Sequence, residues 1–172
     1  MDTIDAPDRS PTARTGSECE QLESMLDFYR ATLLAKCSGL DVERLSARPV
    51  PSSELTLLGL LRHAAGNEQW WFERVFAGLE PEPYYQDPDD PDADFHHLDD
   101  ETLHETLEKL RTSCERSRDL VAGRSLDELA KAPWDGQPVN LRWILIHMIE
   151  EYARHCGHAD LLRELLDGVT GY

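Results

Sequence analysis

Basic side chains are scarce in this chain: 17 lysines and arginines stand against 34 aspartates and glutamates, a formal charge of −17 at pH 7. Such a charge repels phosphate backbones and anionic lipid, so nucleic acid and membrane surfaces are poor partners. Long apolar runs are missing too. No stretch approaches the roughly 20 apolar residues that span a bilayer, and no basic segment followed by an apolar one opens the chain, so we expect a cytoplasmic protein. Cysteine is sparse and scattered: Cys19, Cys37, Cys114 and Cys156 stand singly without CxxC spacing, which fits reduced thiols and argues against a disulfide framework or a thiolate zinc site. Strand-like alternation and internal repeats are also lacking.

What the chain does have is apolar residues at spacings of three and four. At 172 residues it is the size of one domain with one core. Residues 1–16 hold Pro7, Pro11 and several charges without periodicity and are expected to form a flexible leader, with the folded domain spanning 17–172. Ser17 and Glu20 make a capping-box pair, and Leu22, Met25, Leu26, Tyr29 and Leu33 continue as a helical stripe that ends near Gly39. After Pro49 and Pro51, Ser53 can cap a second helix over Glu54 to Gly78. Leu79 to Asp100 turns to Pro, Asp and Glu and reads as a long connection. A helix of about 25 residues is roughly 37 Å long, a distance such a connection can span, so the second and third helices can run parallel. The third helix is expected over Glu101 to Val121, stopped by Gly123, and the last runs from an Asn140 cap to Gly168. The expected fold is an all-α four-helix bundle with a long crossover between helices two and three.

Within the last helix the core-facing stripe is Leu141, Ile144, Leu145, Met148, Tyr152, Ala159, Leu162 and Leu166, and Glu151 and His155 fall inside it one turn apart. A carboxylate buried in a bundle costs several kcal/mol unless it is paired or bound to a cation. His63, in Leu60-Leu61-Arg62-His63-Ala64-Ala65, is the leading candidate for a third ligand on a facing helix. A lone histidine is more often a hydrogen-bonded structural residue; the combination favours metal. His147 and His158 are alternatives on the last helix. The ladder His147, Glu151, His155 spans about 12 Å, too far for one ion, which makes His147 a supporting residue and leaves His158 to orient a ligand or meet substrate. His96, His97 and His104 read as exposed polar residues, and the run Asp87 to Asp94 as a solvated loop, since it lacks the glycine and terminal glutamate of a calcium loop. Of the adjacent Trp70 and Trp71, one must face away from the core and can line a pocket mouth, as can Trp134 and Trp143. Cys156 follows His155 but points elsewhere on the helix and is not expected to be a nucleophile.

Two separated motifs carry a family resemblance. Leu57-Leu58-Gly59-Leu60-Leu61-Arg62-His63 followed by Glu68, Trp70, Trp71 and Phe72, together with the segment from His147 to Asp160, resembles the DinB-like superfamily of metal-binding four-helix proteins, close to its mycothiol-dependent maleylpyruvate isomerase and thiol S-transferase branch. The resemblance covers the chain from Ser17 onward. Many members bind metal through three histidines; this branch has glutamate at the first of the paired positions, which implies His63, Glu151 and His155 as ligands. A carboxylate shifts preference toward harder ions without excluding zinc, so zinc comes first, with nickel or manganese as alternatives. The resemblance implies a metal-activated low-molecular-weight thiol such as mycothiol, transferred to an electrophilic substrate or used transiently in an isomerisation. Arg154 and His158 have no assigned role in it. Two rival readings remain at this point: a non-enzymatic, stress-linked metal-binding module that could pair as a homodimer through exposed aromatic surface, and a metal-dependent hydrolase.

Overall fold

The computed structural model describes residues 3–98 and 102–171, and among these the regular structure is helical. Helix α1 is Glu18–Cys37, capped at Ser17 by the expected box with Glu20. A short α2, Val42–Leu45, follows. Helix α3 is Leu57–Glu68, continued by a π-helical segment, Gln69–Phe76. Helix α4 is Leu103–Val121 and α5 is Leu141–Asp167. No described helix is long and apolar enough to cross a membrane.

Helix α3 begins three residues later than the sequence suggested. Thr56 is the cap, its hydroxyl accepting from Gly59 N–H, while Ser53 accepts from Leu55 N–H two residues on and closes a local turn. The expected start of the third helix at Glu101 lies outside the described residues. The described helix opens at Leu103 with a Thr102–Glu105 capping box. Asn140 caps α5, and Gly168, at φ 79°, supplies the left-handed turn that ends it.

Pairings along the helices give their directions. Glu18 meets Arg142, the Tyr29 carbonyl accepts from Cys156, and Lys36 meets Asp160, so α1 and α5 run the same way. Arg62 and Lys109 lie over the same Tyr85 ring and Glu73 pairs with Arg116, so α3 and α4 are also parallel, as the long crossover permits. His63 faces His155, while Trp71, eight positions on, faces His147, eight positions back, so α3 opposes α5. The core lies between the pairs, with Leu26, Leu33, Leu58, Leu61, Phe72, Leu145 and Met148 almost fully enclosed. Burying such side chains contributes on the order of 1.5–3 kcal/mol each, which outweighs the weaker helix propensity of Phe72 among them. Residues 3–16 form no helix and lie on the bundle: Ile4 is buried and its carbonyl accepts from Gly39 N–H, and Ala13 N–H donates to Ser24.

A buried ionic cluster crosses the centre. Glu68 is fully enclosed and accepts two hydrogen bonds from Arg30, at 2.7 and 2.6 Å, and one from the Tyr152 hydroxyl at 2.9 Å. Burial opposes its ionisation, but the Arg30 guanidinium more than offsets this and holds the carboxyl below its usual range. The cluster ties α1, α3 and α5 together one turn from His63 and directly beside Glu151 along the chain.

Candidate metal centre and adjoining pocket

Antiparallel packing of α3 on α5 sets the i and i+4 face of one helix against that of the other. His63 and Asn67 come from α3, Glu151 and His155 from α5. The ligand atoms of His63, Glu151 and His155 all lie within 4.8 Å of one another, and the three side chains are half-buried. Nε2 of His63 is 3.6 Å and Nε2 of His155 is 3.4 Å from Glu151 Oε2. Asn67 Nδ2 sits 2.9 Å from His63 Nε2 and 3.5 Å from Glu151 Oε2, so an electropositive N–H group already lies against two of the three. Two imidazoles and one carboxylate are a donor set suited to a divalent ion of zinc type or somewhat harder, and fewer than the ligands such an ion takes. The three residues singled out in the sequence are therefore brought to one place.

Two of the three side chains are in the protonation state a cation needs, and the third must first lose a proton. The hydrogen bond with His63 holds Glu151 at a pKa of about 2 against the opposing effect of burial. Burial, reinforced by the neighbouring His63, lowers His155 to about 4 and leaves it neutral with a free lone pair. Burial also disfavours charge on His63, but its hydrogen bonds with Asp94 and Glu151 prevail and raise it to about 9.

Asp94 belongs to the acidic run expected to be a solvated loop, and the structure instead brings it to His63. Its Oδ2 lies 2.7 Å from His63 Nδ1, so the Nδ1–H bond fixes the ring and turns Nε2 toward Glu151. The crossover is docked to bring it there. Phe95 lies against α3 so closely that a Cβ on Gly59 would stand 2.4 Å from its ring. The buried Arg62 donates to the carbonyls of Ala93, His96 and His97 at 3.3, 3.0 and 3.3 Å and stacks on Tyr85. His96 is half-buried and clamps the same loop through Asp90 and Glu54, whereas His97 and His104 are exposed as expected.

The remaining candidates lie around these three, and His147 forms a second convergent group with Glu150 and Glu151, its ligand atom within 4.8 Å of theirs. His158 Nδ1 is 3.3 Å from His155 Nδ1, on the far side of that ring from Glu151. His147 stacks on Trp143, packs edge-on to Trp71 and stands one turn from Glu151. Arg154 is exposed, pairs with Glu150 and reaches 4.0 Å from Glu151 Oε1. Cys156 is buried, which pushes its thiol up to about 12, and it contacts the Tyr29 carbonyl and none of the three convergent residues.

Beside the triad opens a cavity of about 380 Å³ that shares His63, Asn67 and Glu151 with it and is otherwise walled by Trp70, Trp71, Tyr85, Trp134 and His147. The π-helical turn helps to build that wall: Trp71 and Phe72 are both buried, while Trp70 is half-buried beneath the Arg74 guanidinium. A larger cavity of about 580 Å³ lies elsewhere, between the leading segment, α1 and α4, and includes none of the three convergent residues.

A family model described as mycothiol-S-transferase matches residues 21–168. No curated protein sequence matches the chain. Among solved structures, a conserved protein from Enterococcus faecalis is similar in fold, with a TM-score of 0.64 at 16% identity over 90% of this chain and 100% of that one.

Proposed function

The chain belongs to the mycothiol S-transferase family, a DinB-like family, and from that premise we propose that it transfers a low-molecular-weight thiol of the mycothiol type to a small electrophile at a divalent cation held by His63, Glu151 and His155. The observation that carries this reading is the convergence of three ligand atoms within 4.8 Å at the edge of a cavity large enough for a small molecule. A cation in this set supplies a Lewis-acid position at which a thiol S–H loses its proton near neutral pH. Zinc is the first choice of ion, with nickel and manganese as alternatives.

The chain's own residues prepare that chemistry. Glu151 is anionic and His155 neutral without further proton loss. With one carboxylate and two imidazoles as its holders, a divalent ion would keep net positive charge and would favour a thiolate over a neutral thiol. Asp94 holds the His63 ring in orientation. Trp71, Trp134 and His147 form an aromatic wall on the side from which an electrophile would approach. In a displacement the thiol proton passes to solvent, the carbon–sulfur bond forms, and the leaving group departs with its electron pair; isomerisation through a reversible thiol adduct uses the same first step.

The test is to measure bound metal by elemental analysis, and mycothiol conjugation to a panel of electrophiles, in wild type and Glu151→Ala. About one ion per chain, lost together with turnover while the helical circular dichroism stays intact, is the expected result. Turnover that proceeds without added thiol would point to hydrolysis by a bound water. A variant that unfolds, with no turnover in the wild type, would favour a structural metal module.

A further inference from the structure

We propose, resting on the transfer reaction above, that the cavity beside His63 and Glu151 takes the electrophile and selects a planar aromatic ring without negative charge, with Trp134 setting that preference. Trp71 is the hub of an aromatic cluster: its ring centroid lies 4.9 Å from Trp134, 5.4 Å from Trp143 and 4.6 Å from His147. Trp71 itself is 4% exposed, but Trp134 remains 42% exposed, an indole held at the cavity rim with much of its surface uncovered. Its position is built. Trp134 and Gln137 exchange backbone hydrogen bonds of 2.9 Å across a tight turn in which Asp135 and Gly136 take φ of 47° and 70°. The strand-like stretch before it is fastened to the end of the π segment, Lys131 N–H to Phe76 C=O and Ala132 N–H to Val75 C=O. An exposed aromatic surface so anchored offers stacking area at little conformational cost.

Charge narrows the class further. Among the described residues lining this cavity there is no lysine or arginine, while Asp94 and Glu151 are both there. The guanidiniums around it are already paired, Arg62 with three loop carbonyls and the Tyr85 ring, Arg74 with the Trp70 ring, and Arg154 with Glu150 and, at 4.0 Å, with Glu151. Asp94 and His63 satisfy one another. A bound cation would then be the main surplus of positive charge beside the cavity, and the thiol would occupy it. A carboxylate-bearing substrate finds no counter-ion and meets a chain of charge −17; a neutral electron-poor arene meets four aromatic rings. With 1-chloro-2,4-dinitrobenzene, the thiol sulfur bonds to the chlorine-bearing carbon, the carbon–chlorine bond breaks to release chloride, and the thiol proton goes to solvent, with no oxidant or reductant involved.

Calorimetric titration of the zinc-loaded protein with 1,3-dinitrobenzene, which lacks a leaving group, and with its anionic counterpart 3,5-dinitrobenzoate reads the site directly. We expect the neutral ring to bind, the carboxylate to bind at least roughly tenfold more weakly, Trp134→Ala to weaken the neutral ring about tenfold and Trp134→Phe to stay within about threefold of wild type. No binding of the neutral ring, equal binding of the carboxylate, or an unchanged Trp134→Ala would overturn the proposal; the charge comparison needs no variant and stands even if one fails to fold. Mycothiol conjugation of the chloroarene by wild type, Trp134→Ala and Glu151→Gln separates this from the underlying reading. If the binding pattern holds but no variant or wild type turns over, the transfer reading falls and the aromatic site stands. If turnover depends on Glu151 but KM is unmoved in Trp134→Ala, the site falls and transfer stands.

Discussion

Replacing Asp94 by asparagine is expected to flatten the pH dependence of metal binding rather than simply to weaken it. In the metal-free protein His63 titrates at about 9, whereas Glu151 and His155 titrate at about 2 and about 4. At pH 7, therefore, only His63 carries a proton that an incoming cation must displace, and the gap of about two pH units costs about 2.7 kcal/mol at 1.36 kcal/mol per unit. Apparent affinity in the wild type should rise about tenfold per pH unit between about 7 and 9, with close to one proton released per ion, and then level off. The variant loses the anionic partner 2.7 Å from Nδ1, so His63 falls back toward its ordinary value of about 6.5 and the rise ends near neutrality. It also forfeits the carboxylate's polarisation of the ring, typically 10- to 100-fold in affinity. Near pH 7 the two effects oppose, and wild type and variant should differ by less than about tenfold; near pH 9 the full 10- to 100-fold deficit should appear. Competition against a chromophoric chelator from pH 6.5 to 9, with proton release taken from calorimetry in two buffers of different ionisation enthalpy, measures both quantities. A wild-type affinity independent of pH over this range, or a variant curve running parallel to it, would refute the reasoning.

The same residues set the stability of the metal-free protein. His155, lowered to about 4, leaves the unfolded chain binding the extra proton as pH falls from about 6.5, so its contribution is lost on the acid side; His63, raised to about 9, stabilises fully below about 6.5 and loses its contribution as pH rises through 9. Urea denaturation should accordingly show the site's contribution at its maximum near pH 6.5, and zinc should extend stability toward alkaline pH. Gly59→Ala puts a Cβ 2.4 Å from the Phe95 ring; because that contact carries Asp94, the variant should lose about 1–3 kcal/mol to overpacking and lower metal affinity in the same sense as Asp94→Asn at pH 9, whereas unchanged affinity would separate loop docking from the site.

The helices were legible because their determinants are local. The Ser17–Glu20 box, the Asn140 cap and the Gly168 turn each act within a few residues, and the three- and four-residue spacing says which face is buried. Where two local signals competed, the start was misread: Ser53 and Thr56 are both capping residues, and Thr56 prevails because it is buried against the bundle while Ser53 closes a turn. The π-helical turn at Gln69–Phe76 left no periodic trace, since tertiary packing of Trp71, Phe72, Val75 and Phe76 widens it.

His63, Glu151 and His155 could be picked out for the same reason as the helices: a polar group at an apolar spacing is an anomaly that asks for a partner. Asp94 is no anomaly. It stands in a run of loop aspartates, any one of which could have faced the site, and what selects it is the fit of Phe95 onto Gly59 and of Arg62 onto three loop carbonyls, contacts some 30 residues apart in the chain. The trace of that fit lies on the other partner. Glycine gives up helix propensity relative to alanine, and Arg62 follows it on a face with Leu58, Ala65 and Gly66. Two unfavourable choices three residues apart, immediately ahead of a candidate ligand, mark a surface that another segment must approach closely and bind through its backbone. The second layer of the site is thus encoded in the helix that receives the loop and not in the loop that supplies the carboxylate.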